Sequence, residues 1–400
     1  MSHNISERMF DLAQKNSTVR EMFEEGKRLA AIYGRDNVYD FSIGNPYFPP
    51  PEKVNRSIIE IVENEPSTLI HAYMSNSGYE DVREAVALNL NKRFGMSFGR
   101  NNIIMTAGAA GGLNVILRTL LNPGDEVLVL APYFLEYGNY VANAEGVLSV
   151  VPANTIDFQP NAEVVMEHVS RKTKAVIINN PNNPSGVIYS EEAVKGLSAV
   201  LEKKQEEYGH AIYILSDEPY RELAYDGATV PWLPSYYRNT IVCYSWSKSL
   251  SLPGERIGYL AIPSEIDDYE LVLTAAGIAT RILGFVNAPS LFQRVVAECL
   301  DESTDIAAYD RNRRLLYNAL VEAGFDCVYP QGTFYIWMKT PCDDKKFCET
   351  AKKHNILLVP GSSFACPGYV RIAYCVDEKT IKGSLPGFRI LAGELSKLRE

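Results

Sequence analysis

Lys248 stands between two serines in the run Tyr244-Ser245-Trp246-Ser247-Lys248-Ser249-Leu250-Ser251-Leu252-Pro253-Gly254-Glu255-Arg256. It follows Ile241-Val242-Cys243-Tyr244, an apolar segment that reads as a buried strand. A desolvated lysine near other cations gives up its proton readily and can attack a carbonyl. Ser245, Ser247 and Arg256 supply the hydroxyls and the planar cation that a phosphate monoester requires. An aldehyde carried on a phosphorylated ring would satisfy both ends of this arrangement.

Other residues fit such a ring. Asp217, in Ser216-Asp217-Glu218-Pro219-Tyr220, offers a carboxylate that would keep a pyridine nitrogen protonated and electron-withdrawing. Taken alone it also reads as a turn cap before Pro219. Asn183 and Tyr220 can donate to a phenolic ring oxygen. Singly, the first is a turn residue before Pro184 and the second a core tyrosine. Gly108-Ala109-Ala110 opens a helical run, where free backbone N–H groups and the helix dipole favour an anion. Phe134 would stack on the ring from a strand end, with Tyr133 as the alternative, although an aromatic there also reads as core filling. Arg371 can grip a substrate carboxylate by two parallel bonds, and Gly44 can let its backbone approach the same group. In isolation Arg371 reads rather as a surface ion pair. Together these residues describe a place for pyridoxal 5'-phosphate.

Composition limits the alternatives. The chain has 400 residues and a net charge of -10, which argues against nucleic acid as a partner. No apolar run approaches the roughly 18 residues of a membrane span. The first residues do not resemble a signal peptide. The seven cysteines are scattered without zinc or redox spacing, so free thiols in a cytoplasmic protein and no metal are expected.

The elements that must position these residues follow from the apolar pattern. Strands are expected at Ile103-Ile104-Met105-Thr106, 126–130, 148–151, 175–179, 211–216, 241–244 and 257–262, separated by helical stretches. Near-continuous apolar strands of this kind predict an α/β chain with a mostly parallel sheet covered on both faces. The chemistry-bearing residues follow the strands directly, so they should meet at one sheet edge. Residues 6–34 read as helical with an interruption near Asn16-Ser17, and 43–51 as an extended, proline-rich loop. Three parts are expected: an N-terminal segment, 1–50, belonging to a small domain; a large domain, 51–290; and a smaller α+β domain, 291–400.

The order of the pieces resembles the class I/II aminotransferase family of fold-type I pyridoxal phosphate enzymes, which contains the aspartate and aromatic aminotransferases. The resemblance runs from Gly44-Asn45-Pro46 to Val370-Arg371-Ile372-Ala373-Tyr374. It is most specific at Asn180-Pro181-Asn182-Asn183-Pro184-Ser185-Gly186, Ser216 to Tyr220, and Ser245 to Lys248 with Arg256. It implies that Lys248 is the Schiff-base lysine, that Asp217 pairs with the pyridinium, and that Asn183 and Tyr220 bind the ring oxygen. It also implies that Arg371 binds the substrate carboxylate. Tyr73, in His71-Ala72-Tyr73-Met74-Ser75-Asn76-Ser77-Gly78, looks like the family tyrosine that reaches the phosphate of the neighbouring subunit, which implies a homodimer with shared active sites. Without the resemblance Tyr73 reads as a buried aromatic. Arg281 lies near the place where dicarboxylate-specific relatives carry a cross-subunit arginine; it also reads as a structural arginine. The helix opening departs from the family, because Ala109 and Ala110 stand where relatives often carry polar side chains.

The expected reaction is ping-pong transamination between an L-amino acid (aspartate, alanine or an aromatic donor) and a 2-oxo acid such as 2-oxoglutarate, with Lys248 as general base. A C–S β-lyase or a decarboxylase would share these residues. A non-catalytic sensor built on the fold would need a DNA-reading domain, for which about 40 residues before Gly44 are too few.

Overall fold

The computed structural model describes residues 4–14 and 18–396. The expected break near Asn16-Ser17 lies outside the described residues; helices Glu7–Gln14 and Thr18–Tyr33 flank it. The chain divides into two compact units. One comprises 46–308 and 330–333, and the other comprises 1–45, 309–329 and 334–400.

The large unit is built on a seven-stranded sheet. Its strands are β1 (Ile103–Thr106), β2 (Glu126–Leu130), β3 (Val147–Val151), β4 (Thr173–Asn179), β5 (Tyr213–Asp217), β6 (Thr240–Ser245) and β7 (Gly258–Ala261). All seven expected strands form, with ends shifted by a residue or two. Their spatial order is β1-β7-β6-β5-β4-β2-β3. Every neighbouring pair is parallel except the two made by β7, which is antiparallel to β1 and β6.

The period of two along each strand divides the core. Ile103 and Met105 of β1, Val242 and Tyr244 of β6, and Tyr259 of β7 belong to one buried cluster with residues of helices Glu52–Asn64, Glu80–Phe94 and Ser290–Glu298. Ile104, Ile241, Cys243, Tyr213 and Leu215 belong to the other, with residues of helices Gly108–Leu120, Glu136–Asn143 and Tyr269–Ile282. Because both faces are covered, every residue of β1, β5 and β6 is buried, and these strands are apolar up to their ends.

The second unit holds a four-stranded antiparallel sheet, in which Tyr335–Lys339 lies between Asp326–Val328 and Tyr369–Ala373, and Val359–Pro360 completes the far edge. Tyr39–Asp40 pairs in parallel with Ile356–Leu357, and residues up to Asn45 group with this unit, whereas 46–50 and 291–308, expected in the small domain, group with the large one. No helix among the described residues is long and apolar enough to cross a membrane.

Candidate active site

Strand register brings the candidate residues of the large unit to one sheet edge. Asn179, the last residue of β4, pairs with Asp217, the last of β5, and Asp217 pairs with Cys243. Ser245, the last of β6, pairs with Gly258, which also pairs with Thr106, the last of β1. Strand β7 runs the opposite way, so its first residue reaches the edge where its neighbours end. This is the carboxyl edge at which open α/β sheets bind ligands.

Asp217 follows Tyr213 and Leu215 at period two and therefore points to the face covered by helix Glu136–Asn143. It is buried, and Tyr137 of that helix donates to its Oδ2 at 2.5 Å. Its Oδ1 is buried and has no hydrogen-bond partner. Burial raises the acid to about 7; the neighbouring Glu218 charge adds to the rise, and the Tyr137 hydrogen bond opposes it. Asn179 locks the surrounding loop: its amide donates to the Asp217 carbonyl at 2.9 Å, and its Oδ1 accepts from the Asn183 N–H at 2.7 Å. Asn183 is buried in a loop whose Asn180-Pro181 and Asn183-Pro184 bonds are cis. Phe134 packs edge-on against Tyr137, with ring centres 5.6 Å apart, while Tyr133 lies nearly parallel to Tyr137 at 6.5 Å.

Lys248 lies on a single helical turn, Trp246–Ser249, entered directly from β6. Ser245 caps that turn by accepting from the Ser247 N–H, and the two hydroxyls are 2.7 Å apart. Lys248 Nζ stands 6.0 Å from the centre of the Tyr220 ring, which is itself buried. The buried pair Arg221–Glu218 underlies this loop. Ser216 donates to Glu218 at 2.6 Å, and Arg221 also donates to the carbonyls of Val230 and Pro231.

Gly108, Gly258 and Arg256 lie close together. Gly108 opens the thirteen-residue helix Gly108–Leu120 at φ +71°. A Cβ on Gly108 would lie 2.9 Å from Arg256 Nη2, and one on Gly258 would lie 3.0 Å from the Gly108 backbone. Arg256 itself has φ +52°, a left-handed conformation that a non-glycine residue adopts at a cost of about 1–2 kcal/mol. Strain of this kind concentrates at functional sites. Ala109 is buried and Ala110 half-buried, so this helix start offers backbone N–H groups rather than side chains.

Arg371 and Gly44 belong to the other unit. Arg371 is buried, its Nη2 donates to the Ser42 carbonyl at 2.7 Å, and the rings of Tyr335 and Phe364 flank it at 4.4 and 4.9 Å. The surface ion pair is therefore the wrong reading of Arg371. Gly44 is in close contact with Tyr335: a Cβ there would fall 1.9 Å from the Tyr335 hydroxyl. For Tyr73 the structure overturns only the reading made without the resemblance. The residue is 90% exposed rather than a buried aromatic, because segment 71–78 passes over the surface. Arg281 is exposed on the last turn of helix Tyr269–Ile282, and neither it nor Tyr73 bonds to the cluster within the single chain.

The family model of the class I and II aminotransferases matches residues 36–385. The chain belongs to this family. An aminotransferase from Eubacterium rectale of known structure is 47% identical, with a TM-score of 0.96 over 98% of this chain and 99% of its own. The aspartate aminotransferase of Thermus thermophilus, solved with maleate, is 26% identical, with a TM-score of 0.85 over 98% and 100% of the two chains. The aspartate aminotransferase of Thermotoga maritima is 29% identical over 90% of this chain and 93% of its own. This aminotransferase thus has the fold-type I architecture of a pyridoxal phosphate-using family. Its residues are chemically compatible with that cofactor, because the buried Asp217 Oδ1 is an acceptor that a ring N–H could satisfy, and the closely packed Gly108, Gly258 and Arg256 combine backbone with a guanidinium, groups that suit a phosphate. Among the described residues no group of three or more histidine, cysteine or acidic side chains could hold a metal.

Tyr137 and Asn179 were missed in the sequence. Tyr137 lies three residues past Phe134, on the helix that begins at Glu136, which is a signal only once the stacking aromatic is placed.

Proposed function

We propose that this aminotransferase holds pyridoxal 5'-phosphate in its large unit and moves an amino group between an L-amino acid and a 2-oxo acid such as 2-oxoglutarate, with aspartate as the preferred donor. The observation that carries the reading is Asp217 Oδ1, a buried carboxylate oxygen without a partner at the carboxyl edge of the sheet. The names of the Thermotoga and Thermus relatives support aspartate.

Lys248 would hold the cofactor covalently. Asp217 would accept from its ring nitrogen, and Asn183 and Tyr220 would donate to its ring oxygen. Gly108, Ala109, Ala110, Ser245, Ser247 and Arg256 would bind its phosphate, and Phe134 would cover its ring face. When bound, the cofactor supplies an aldehyde that takes up the amino group and a ring that acidifies the substrate α C–H. Lys248 Nζ, freed as an amine, takes that proton as general base and returns it later in the reaction. Arg371 binds the substrate α-carboxylate, with Gly44 beside it. The reaction runs as two half-reactions, each releasing a product before the next substrate binds.

We also propose a cytoplasmic homodimer. All seven cysteines are free thiols, which suits a reducing compartment. The exposure of Tyr73 suits a role toward a partner subunit's phosphate, and that of Arg281 suits a role toward a partner's dicarboxylic substrate.

A panel of amino donors against 2-oxoglutarate tests the reading. Aspartate should lead, and Arg281→Ala should lower kcat/KM for aspartate far more than for alanine. Equal losses would remove Arg281 from the site. Pyruvate release from cystathionine without an acceptor would mark a C–S β-lyase instead. Lys248→Ala should abolish both turnover and the visible band of the purified protein; a band that survives would overturn the lysine assignment.

A further inference from the structure

The two oxygens of Asp217 are unequal. Oδ2 accepts from Tyr137, with the Asn179 amide farther off at 3.5 Å, whereas Oδ1 has no partner. Tyr137 is 1% exposed, and its buried ring packs against Phe134 and Tyr133, so its hydroxyl has little freedom to turn elsewhere.

A buried carboxyl without donors stays neutral, because its charged form loses hydration without replacement. The other titratable groups around Asp217 are Glu218 beside it in the chain, Cys243 paired across from it on β6, Tyr140 on the helix of Tyr137, and Tyr220. Glu218 disfavours a second negative charge, and burial does the same. The Tyr137 hydrogen bond acts in the opposite direction. Burial and the nearby Asp217 charge hold the Tyr137 phenol well above its usual range, so it remains a donor.

We propose that Tyr137 is a positioning residue for the reaction: it anchors Asp217 through Oδ2, so that Oδ1 meets the cofactor's ring nitrogen as a charged partner. This rests on the reading of Asp217 as the partner of that nitrogen. Loss of the phenol would leave a neutral acid at the ring and an unprotonated nitrogen, which is a weak electron sink.

The test uses the full chain with and without coenzyme. In the coenzyme-free protein the infrared carboxylic-acid band of Asp217, identified by its loss in Asp217→Asn, reports the midpoint directly. Tyr137→Phe should move that midpoint up by about one pH unit or more. Replacing Tyr137 by 3-fluorotyrosine keeps the shape, strengthens the donor and should move the midpoint down, which preserves the test if the phenylalanine variant fails to fold. In the loaded protein, nitrogen-15 NMR of ring-labelled coenzyme should show the ring nitrogen losing its proton at lower pH in Tyr137→Phe than in wild type. Midpoints that do not respond to either replacement overturn the proposal. A wild-type protein that binds no labelled coenzyme overturns the cofactor reading instead, and the infrared midpoints still decide the role of Tyr137.

Discussion

Arg371 donates through Nη2 to the carbonyl of Ser42 at 2.7 Å, and Ser42 is itself fixed by Asp40, whose Oδ1 accepts from both its N–H and its hydroxyl at 2.9 and 2.6 Å. The guanidinium is thus anchored to the backbone, with the rings of Tyr335 and Phe364 at 4.4 and 4.9 Å. Lysine has neither the planar fork nor the stacking surface. Arg371→Lys should raise the KM for the amino donor about 10- to 100-fold while leaving coenzyme affinity unchanged. Steady-state kinetics and a spectral coenzyme titration separate the two; a matching loss of coenzyme affinity would contradict the assignment.

Gly108 gives a second expectation. Alanine there must adopt φ +71° and place its Cβ 2.9 Å from Arg256 Nη2. The side chain that has to move is the cation expected to hold the phosphate. Gly108→Ala should weaken coenzyme binding about tenfold or more and cost about 1 kcal/mol of stability. Gly254, where a Cβ would meet nothing within 4 Å, is the control, and its alanine variant should stay within about 0.5 kcal/mol of wild type. Denaturant unfolding and coenzyme titration of both variants check the contrast.

The seven strands and the edge at which they meet were legible because burial on both faces writes itself locally, as short apolar runs ending in polar residues. Asp217 and Lys248 could be placed for the same reason: each follows such a run. The partners of these residues were not legible. The Tyr137–Asp217 bond joins positions 80 apart in sequence, and only the register of β2, β4 and β5 brings them together. Likewise, nothing local tells a buried arginine at 371 from an exposed one, because the rings that flank it come from 335 and 364. Nor could the exposure of Tyr73 be read locally: by itself a lone aromatic reads as core, and whether it is exposed depends on the path of a loop.

Asp217 should leave a signature in stability. In the coenzyme-free chain its acid sits at about 7, above the unfolded value near 3.9. Between those values the folded state holds a proton that the unfolded chain has lost. The stability this supplies is therefore full below about pH 4 and is lost as pH rises through about 7. Asp217→Asn has no such dependence. The stability of Asp217→Asn relative to wild type should grow by about 1.4 kcal/mol per pH unit across that window and level off above it. Urea unfolding at a series of pH values measures this, and a flat difference would show that the carboxyl is charged throughout.

Gly44 and Tyr335 form the last testable pair. A Cβ at 44 would lie 1.9 Å from the Tyr335 hydroxyl and 2.8 Å from its Cζ, so alanine there must push the ring aside. That ring is one of the two that flank the Arg371 guanidinium. Gly44→Ala should therefore act on the donor carboxylate through Arg371, raising KM about tenfold while leaving Lys248 and coenzyme binding intact. Tyr335→Phe removes the nearest atom but leaves Cζ too close, so adding it to Gly44→Ala should restore only part of the loss. A double-mutant cycle on KM reads the coupling. Additive effects would mean that the close approach of these residues does not reach the arginine.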